Sequence, residues 1–237
     1  MHGTVRSEGW LWGATGKHPV AKDYITIGKT TPLMGAFSRW VEEGYPRVGR
    51  DNDHYTWRFF AKGLRPSELM CGLIRDSYDG AGRPFPLLIT GYGRLEGWEL
   101  QWDLLPLVLD ILWEKIEFIC SKRVLDLEEL KRDINRLPSP VLESVFKETP
   151  AIDENLSDIH VSGGMVSFHL TGGGDHLGEI IQRLKVFKMH VPAIPDVVFI
   201  GGTFDKTFLV GFVRSLHATD FEKLWKLDFA YSSQEVY

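Results

Sequence analysis

At 237 residues with a formal net charge of −5, the chain is long enough to bury one sizeable core and short for two full domains, so a single domain over residues 1–237 is expected. Its 25% charged and 43% hydrophobic residues lack the concentrated positive field that attracts nucleic acid or an anionic membrane surface, so neither is expected as a partner. No apolar run approaches the roughly 20 residues of a membrane span; Met1 to Trp10 has no signal-peptide core, and Cys71 and Cys120 are too few for a disulfide framework, all of which points to the cytoplasm.

In chain order, Glu8 to Ala14 reads as a short strand and Gly16, His18 and Pro19 as a turn. Leu33, Phe37, Trp40 and Val41 recur at helical spacing from Pro32 and stop at Gly44 and Pro46, which predicts a helix of about ten residues. Tyr55, Trp57 and Phe59 alternate with Thr56, Arg58 and Phe60 as in a strand with one partly sheltered outer face. Leu69 to Ile74 and Pro86 to Gly91 are two further extended runs. The period then changes: Leu105, Leu109, Leu112, Ile116 and Ile119 share one side of a long helix beginning near Asp103, with Pro106 in its first turn.

Asp126 with Glu129 predicts the cap of a second helix carrying Leu127, Leu130, Ile134 and Leu137, ended by Pro138. Leu142 to Phe146 is expected to add a turn or two, and Thr149 to Ser157 a loop. His160 to Leu170 reads as a strand pair or a bulged strand broken at Gly163 and Gly164. Asp175 is the expected cap of a helix buried through Leu177, Ile180, Ile181, Leu184 and Phe187. Val197 to Ile200 and Phe208 to Val213 complete the strands, and Thr219 with Glu222 has capping-box spacing before Phe221, Leu224 and Trp225. Strands and helices interleave throughout, which favours a layered α/β fold.

Residues 75–91, RDSYDGAGRPFPLLITG, are the most informative stretch. Asp79, Gly80 and Gly82 fit a tight loop, and Pro84 and Pro86 hold the backbone extended until Leu87 enters a strand. Arg83 offers a rigid fork of donors able to tie to Asp76 or Asp79 and fix that corner against the sheet edge. The corner supplies no nucleophile. Asp76 and Asp79 read instead as paired carboxylates would make, with Arg83, a small-ligand sensor or an enzymatic cleft.

The remaining patterns carry no chemistry. Gly28-Lys29-Thr30-Thr31 imitates a phosphate loop, but Asp23 stands where that loop needs a glycine, so a surface turn is expected. Gly172 to Gly174 departs from dinucleotide-binding spacing. The eight histidines form no HExxH and no close cluster, and no serine sits in a G-x-S-x-G elbow, so no metal, cofactor or hydrolytic site is expected. Trp57, Trp102 and Trp113 are expected mostly in the core, with any that face water serving as interface anchors.

Several of these pieces resemble the TagF family, also called ImpM, of bacterial type VI secretion. Gly16-Lys17-His18-Pro19-Val20-Ala21-Lys22-Asp23-Tyr24 is similar to its GKLPSRGDF signature, Trp57-Arg58-Phe59 to its WRF element, and Asp76-Ser77-Tyr78-Asp79 through Gly82-Arg83-Pro84-Phe85-Pro86-Leu87 to its SVDRVGRxFPL stretch. Phe37 and Trp40 fall at its next aromatic pair. Lys22 stands in place of a glycine, Tyr24 of a phenylalanine and Gly80 of an arginine; the tryptophans of the family's late strand are missing from Val197 to Gly202.

The resemblance implies an α/β/α three-layer sandwich with a mixed sheet in a single domain, and a non-enzymatic, cytoplasmic negative regulator of type VI secretion. The implied partner is a regulatory or scaffold protein of that system, such as a forkhead-associated domain protein. Expected docking or loop-forming residues are Lys17, Pro19, Asp23, Tyr24, Trp57, Arg58, Asp76, Asp79, Arg83 and Phe85.

Overall fold

The computed structural model describes residues 9–49, 54–142, 159–171 and 176–227. One sheet contains β1 (Leu11–Gly16), β2 (Ile25–Gly28), β3 (Thr56–Lys62), β4 (Glu68–Arg75), β5 (Leu87–Arg94), β6 (His160–Ser162), β7 (Met165–Leu170), β8 (Val197–Gly202) and β9 (Thr207–Phe212). Their spatial order is β2-β1-β5-β4-β3-β8-β9-β7-β6. The helices are α1 (Pro32–Gly44), α2 (Leu105–Ser121), α3 (Leu127–Asn135), α4 (His176–His190) and α5 (Ala218–Lys226). The expected turns after Leu142, the loop from Thr149 and the Asp175 cap lie outside the described residues.

Period-two alternation divides the strand side chains between two cores. On one face, Phe59, Phe199, Val210 and Phe212 meet Phe37 and Trp40 of α1 and Phe221 and Trp225 of α5. On the other, Phe60, Cys71, Ile89 and Leu209 meet Leu109, Trp113 and Ile116 of α2, Leu130 of α3 and Leu184 of α4. This is the expected α/β/α layering. Trp57, Trp102 and Trp113 are all fully buried, so each belongs to the core, and on the partly sheltered face expected of β3 Thr56 and Arg58 are half-buried and Phe60 is buried.

Where a mixed sheet was expected, each described strand pair is antiparallel. The connections explain this. Hairpin-like turns join β1 to β2, β3 to β4, β4 to β5, β6 to β7 and β8 to β9 or lead directly back through the sheet, while the crossovers containing α1, α2 with α3, and α4 join strands of like direction. None of those crossovers ends on an adjacent strand, so no parallel pair forms among the described strands.

Local signals set most helix ends. Thr31 Oγ1 accepts the Met34 N–H at 3.3 Å to cap α1, so the Gly28–Thr31 tetrapeptide closes a strand and opens a helix. Asp126 accepts the Glu129 N–H to cap α3, as expected. Two expectations are corrected. The long helix begins at Leu105, because residues 98–104 form a 3₁₀ segment in which the Asp103 carboxylate is taken by Lys188. The last helix is capped at His217, whose N–H is accepted by Asp220 at 2.8 Å; Arg214 pins that carboxylate, and Glu222 pairs with Lys226 instead of capping.

The strand directions gather distant segments at one end of the sheet. Gly16 faces Leu87, Leu87 faces Arg75, Arg75 faces Thr56, Thr56 faces Gly202, and Gly202 faces Thr207. The loops 17–24 and 76–86 and the turn 203–206 therefore lie along the same rim.

Candidate functional site

The corner between β4 and β5 is built around Asp79, which is 0% exposed. Its Oδ1 accepts the N–H groups of Ala81 and Arg83, each at 3.0 Å. Its Oδ2 accepts Arg83 Nε at 2.8 Å and meets Lys17 Nζ at 3.1 Å. The backbone closes the same loop: Asp79 N–H donates to Arg83 O at 3.1 Å and Gly82 N–H to Asp79 O at 2.8 Å. Burial works against ionisation of this carboxyl, but the Arg83 N–H, Lys17, the Ala81 N–H and the Arg83 guanidinium outweigh it and hold its pKa down at about 2.

Lys17 belongs to the β1–β2 loop, so the buried carboxylate joins two segments distant in sequence. Arg83 extends the tie: its Nη2 donates to Lys22 O at 2.7 Å and lies 3.5 Å from Asp23 Oδ1. Gly80 N–H donates to Ala21 O at 2.6 Å. A Cβ on Gly80 would press against the Pro19 and Ala21 carbonyls at 3.1 and 3.2 Å, so glycine suits this close approach. Gly16, at φ +116, likewise brings β1 against the Pro86 carbonyl, which a Cβ would strike.

An aromatic chain backs the two loops. Tyr24 meets Phe85 edge-on at 5.6 Å and Phe85 meets Tyr45 at 5.1 Å, while the Tyr24 hydroxyl donates to Glu42 of α1 at 2.9 Å. Burial raises the Tyr24 phenol above its usual range, with Glu42 adding to that and Ser38 and Thr15 opposing it. Arg83 keeps 55% of its side chain in water and Tyr78 is 52% exposed. Pro19, Asp23 and Pro84 are exposed as well.

Asp76 takes no part in the staple. Its Oδ2 accepts the Tyr55 N–H at 2.9 Å and its Oδ1 accepts Trp225 Nε1 of α5 at 2.8 Å. Burial pushes its pKa up, and those two donors pull against the shift. With Asp79 spent on the corner and Asp76 on α5, the two acids and Arg83 do not form a shared catalytic cleft. Arg83 ties to Asp79 alone of the two candidate acids. Nor does the corner sit at a sheet edge, for β4 and β5 are interior strands.

Trp57 and Arg58 lie elsewhere. Trp57 is fully buried, and Arg58 holds α2 on the sheet through Glu117, at 2.7 and 2.9 Å, and Asp110, at 3.0 Å, with Trp113 beneath its guanidinium. These two positions support the fold and do not line the corner. Sequence reasoning missed Tyr45 and Trp225, which come from other elements and carry no local signal for the contact.

Among the described residues no group of three or more His, Cys, Asp or Glu side chains could hold a metal ion, and no helix is long and apolar enough to cross a membrane. Both carboxylates of the corner are satisfied by donors within the chain, while Arg83, Tyr78 and Asp23 face water. The model of the TagF N-terminal domain, type VI secretion system-associated, matches residues 13–137, more than half of the chain, and the chain belongs to that family. It is a non-enzymatic accessory protein of type VI secretion that works through protein–protein contact. No curated protein is significantly similar to it in sequence. In fold it is similar to the crystal structure of PA0076 from Pseudomonas aeruginosa PAO1, with a TM-score of 0.55 and 21% identity over 90% of this chain and 93% of that one.

Proposed function

We propose that this chain is a cytoplasmic negative regulator of type VI secretion that docks its two-loop corner on a regulatory or scaffold protein of the system, a forkhead-associated domain protein being the first partner to test. The observation that carries this reading is the fully buried Asp79, which locks the 17–24 and 76–86 loops together and leaves Arg83 facing water. A surface fixed before binding loses little conformational freedom on association, which is what a docking feature requires. Arg83, Tyr24, Pro19, Asp23 and Phe85 form the contact face; Lys17 and Asp79 fix it, and Asp76 moors its base to α5.

Copurification from the native host, with mass spectrometry of what is recovered, tests the proposal. Arg83→Glu is expected to abolish recovery of the partner while circular dichroism shows a folded chain. Unchanged recovery by the folded variant would remove the corner from the interface. Release of secretion on deleting the gene would support the negative sign, and reduced secretion would reverse it.

A further inference from the structure

The side of α2 turned away from the sheet carries a different kind of surface from the corner. Leu109, Leu112, Trp113 and Ile116 cover the inner side of this helix and pack on the strands. On the outer side, Ile111 and Phe118 keep 67% and 66% of their surface in water. Single exposed apolar residues are ordinary, but these two stand a heptad apart, two turns along one line of the helix. Leu100 before the helix and Leu125 after it are exposed as well.

Beside Phe118 that line borders a groove of about 420 Å³ between α2 and α3. Ile119, Leu137 and Pro138 give the groove an apolar wall, and Lys122, tied to Glu129 and Asp133, borders it. It has room for an aromatic side chain arriving from outside.

The charges flanking the line choose the occupant. At 3.6 residues per turn, Glu114 lies about 50° to one side of it and Lys115 about 50° to the other. Both are exposed, whereas Asp110 and Glu117 of the same helix are held by Arg58. An apolar line with an acid on one flank and a base on the other is complementary to a copy of itself. When a second α2 lies alongside in the same direction, a two-fold axis parallel to the helix sets Glu114 of each copy against Lys115 of the other, and Ile111 and Phe118 meet their own mates. A second helix running in the opposite direction would set Glu114 against Glu114 and Lys115 against Lys115, which like-charge repulsion disfavours.

We propose that the outer face of α2 joins two copies of this chain, side by side and in the same direction, across a two-fold axis. The inference goes beyond the docking role proposed above and does not depend on it. Cys120, near the end of α2, is hydrogen-bonded to Arg75 of the rim, so an axis parallel to α2 leaves both rims and their corners on one side of the pair. Two corners so placed would engage two sites of one partner assembly with the gain that linkage brings.

Sedimentation of the full chain from about 1 to about 500 µM tests the proposal. A monomer–dimer equilibrium in the micromolar range is expected, weak because one helix and its flanks make a small interface. Phe118→Glu should weaken association at least tenfold with an unchanged melting temperature, and Leu64→Glu, at an exposed position between β3 and β4, should leave it unchanged. Glu114→Lys should weaken it about tenfold, and combining Glu114→Lys with Lys115→Glu should restore it, a recovery that general damage to the helix would not give. Arg83→Glu should leave the dimer intact while abolishing partner recovery.

A monomer at every concentration, or a dimer indifferent to Phe118→Glu, would overturn the proposal. In a monomer, a lowered melting temperature of Phe118→Glu would assign the face to a segment of this chain outside the described residues, and loss of the copurified partner would assign it to that protein. A dimer that Glu114→Lys leaves intact, or that the double exchange fails to restore, would overturn the parallel arrangement. A monomeric Arg83→Glu variant would move the self-contact to the corner and discard the α2 face.

Discussion

Arg58 and Arg83 both meet carboxylates through their forks, and both fall in segments that resemble family motifs, yet they do opposite work. Arg58 lies between the sheet and α2, with 22% of its side chain exposed, and its partners Asp110 and Glu117 sit at the solvent boundary. At the corner the burial is inverted: the acid is enclosed and the arginine faces water. An arginine placed inside two acids fastens layers together. An arginine standing over an enclosed acid shapes a surface and leaves part of its donor set in water.

The sharpest way to break this contrast is Arg58→Ala, which should cost about 2–3 kcal/mol, below the range for a wholly enclosed pair because both acids keep about a third of their surface in water. That corresponds to a drop of about 5–10 °C in melting temperature. Partner recovery per folded molecule should not change; a loss there would give Arg58 a place in the interface. Next in size, Trp225→Phe removes the donor to Asp76 Oδ1 while keeping an aromatic ring, at an expected cost of about 1–2 kcal/mol in chemical denaturation. A neutral result would show that the corner does not depend on its mooring to α5.

Arg83→Gln should cost less than about 1 kcal/mol, as exposed pairs do, yet reduce partner recovery more than Arg58→Ala. If its stability cost exceeds that of Arg58→Ala, the corner is the structural staple and the contrast inverts. Acid has the smallest effect near neutrality. The folded Asp79 carboxyl titrates at about 2, below the usual aspartate value of 3.8, so its contribution to stability is complete above pH 3.8 and is lost as pH falls toward 2. The amide resonances of Ala81 and Arg83 report it: their inflection should fall near pH 2, and an inflection near 4 would mean that the staple is not formed in solution.

Much of the layering was legible because burial leaves periodic traces. Phe37, Trp40 and Val41 mark the inner stripe of α1; Tyr55, Trp57 and Phe59 alternating with Thr56, Arg58 and Phe60 mark β3; Asp126 announces α3. The corner was legible in part, since two glycines and two prolines around Arg83 restrict the backbone whatever surrounds it. Which acid Arg83 would choose was not. Asp76 and Asp79 are equivalent in composition, and partners distant in sequence separate them: Tyr55 and Trp225, the latter 149 positions later, take Asp76, and Lys17 meets Asp79. The cap of α5 misled for a related reason: Thr219 and Glu222 have suitable spacing, but Arg214 fixes Asp220 where it meets the His217 N–H.

By itself the amino-acid order determined the alternation of strands and helices and the stiffness of the segment from Asp79 to Pro86, because these follow from side-chain periodicity and backbone restriction within a few neighbouring positions. Tertiary structure alone decided that all the described strand pairs run antiparallel, that Lys17 and Arg83 converge on one enclosed carboxylate, and that Tyr78 and Phe204 share a rim. Those outcomes depend on which strands lie side by side, a matter of packing free energy summed over the whole chain.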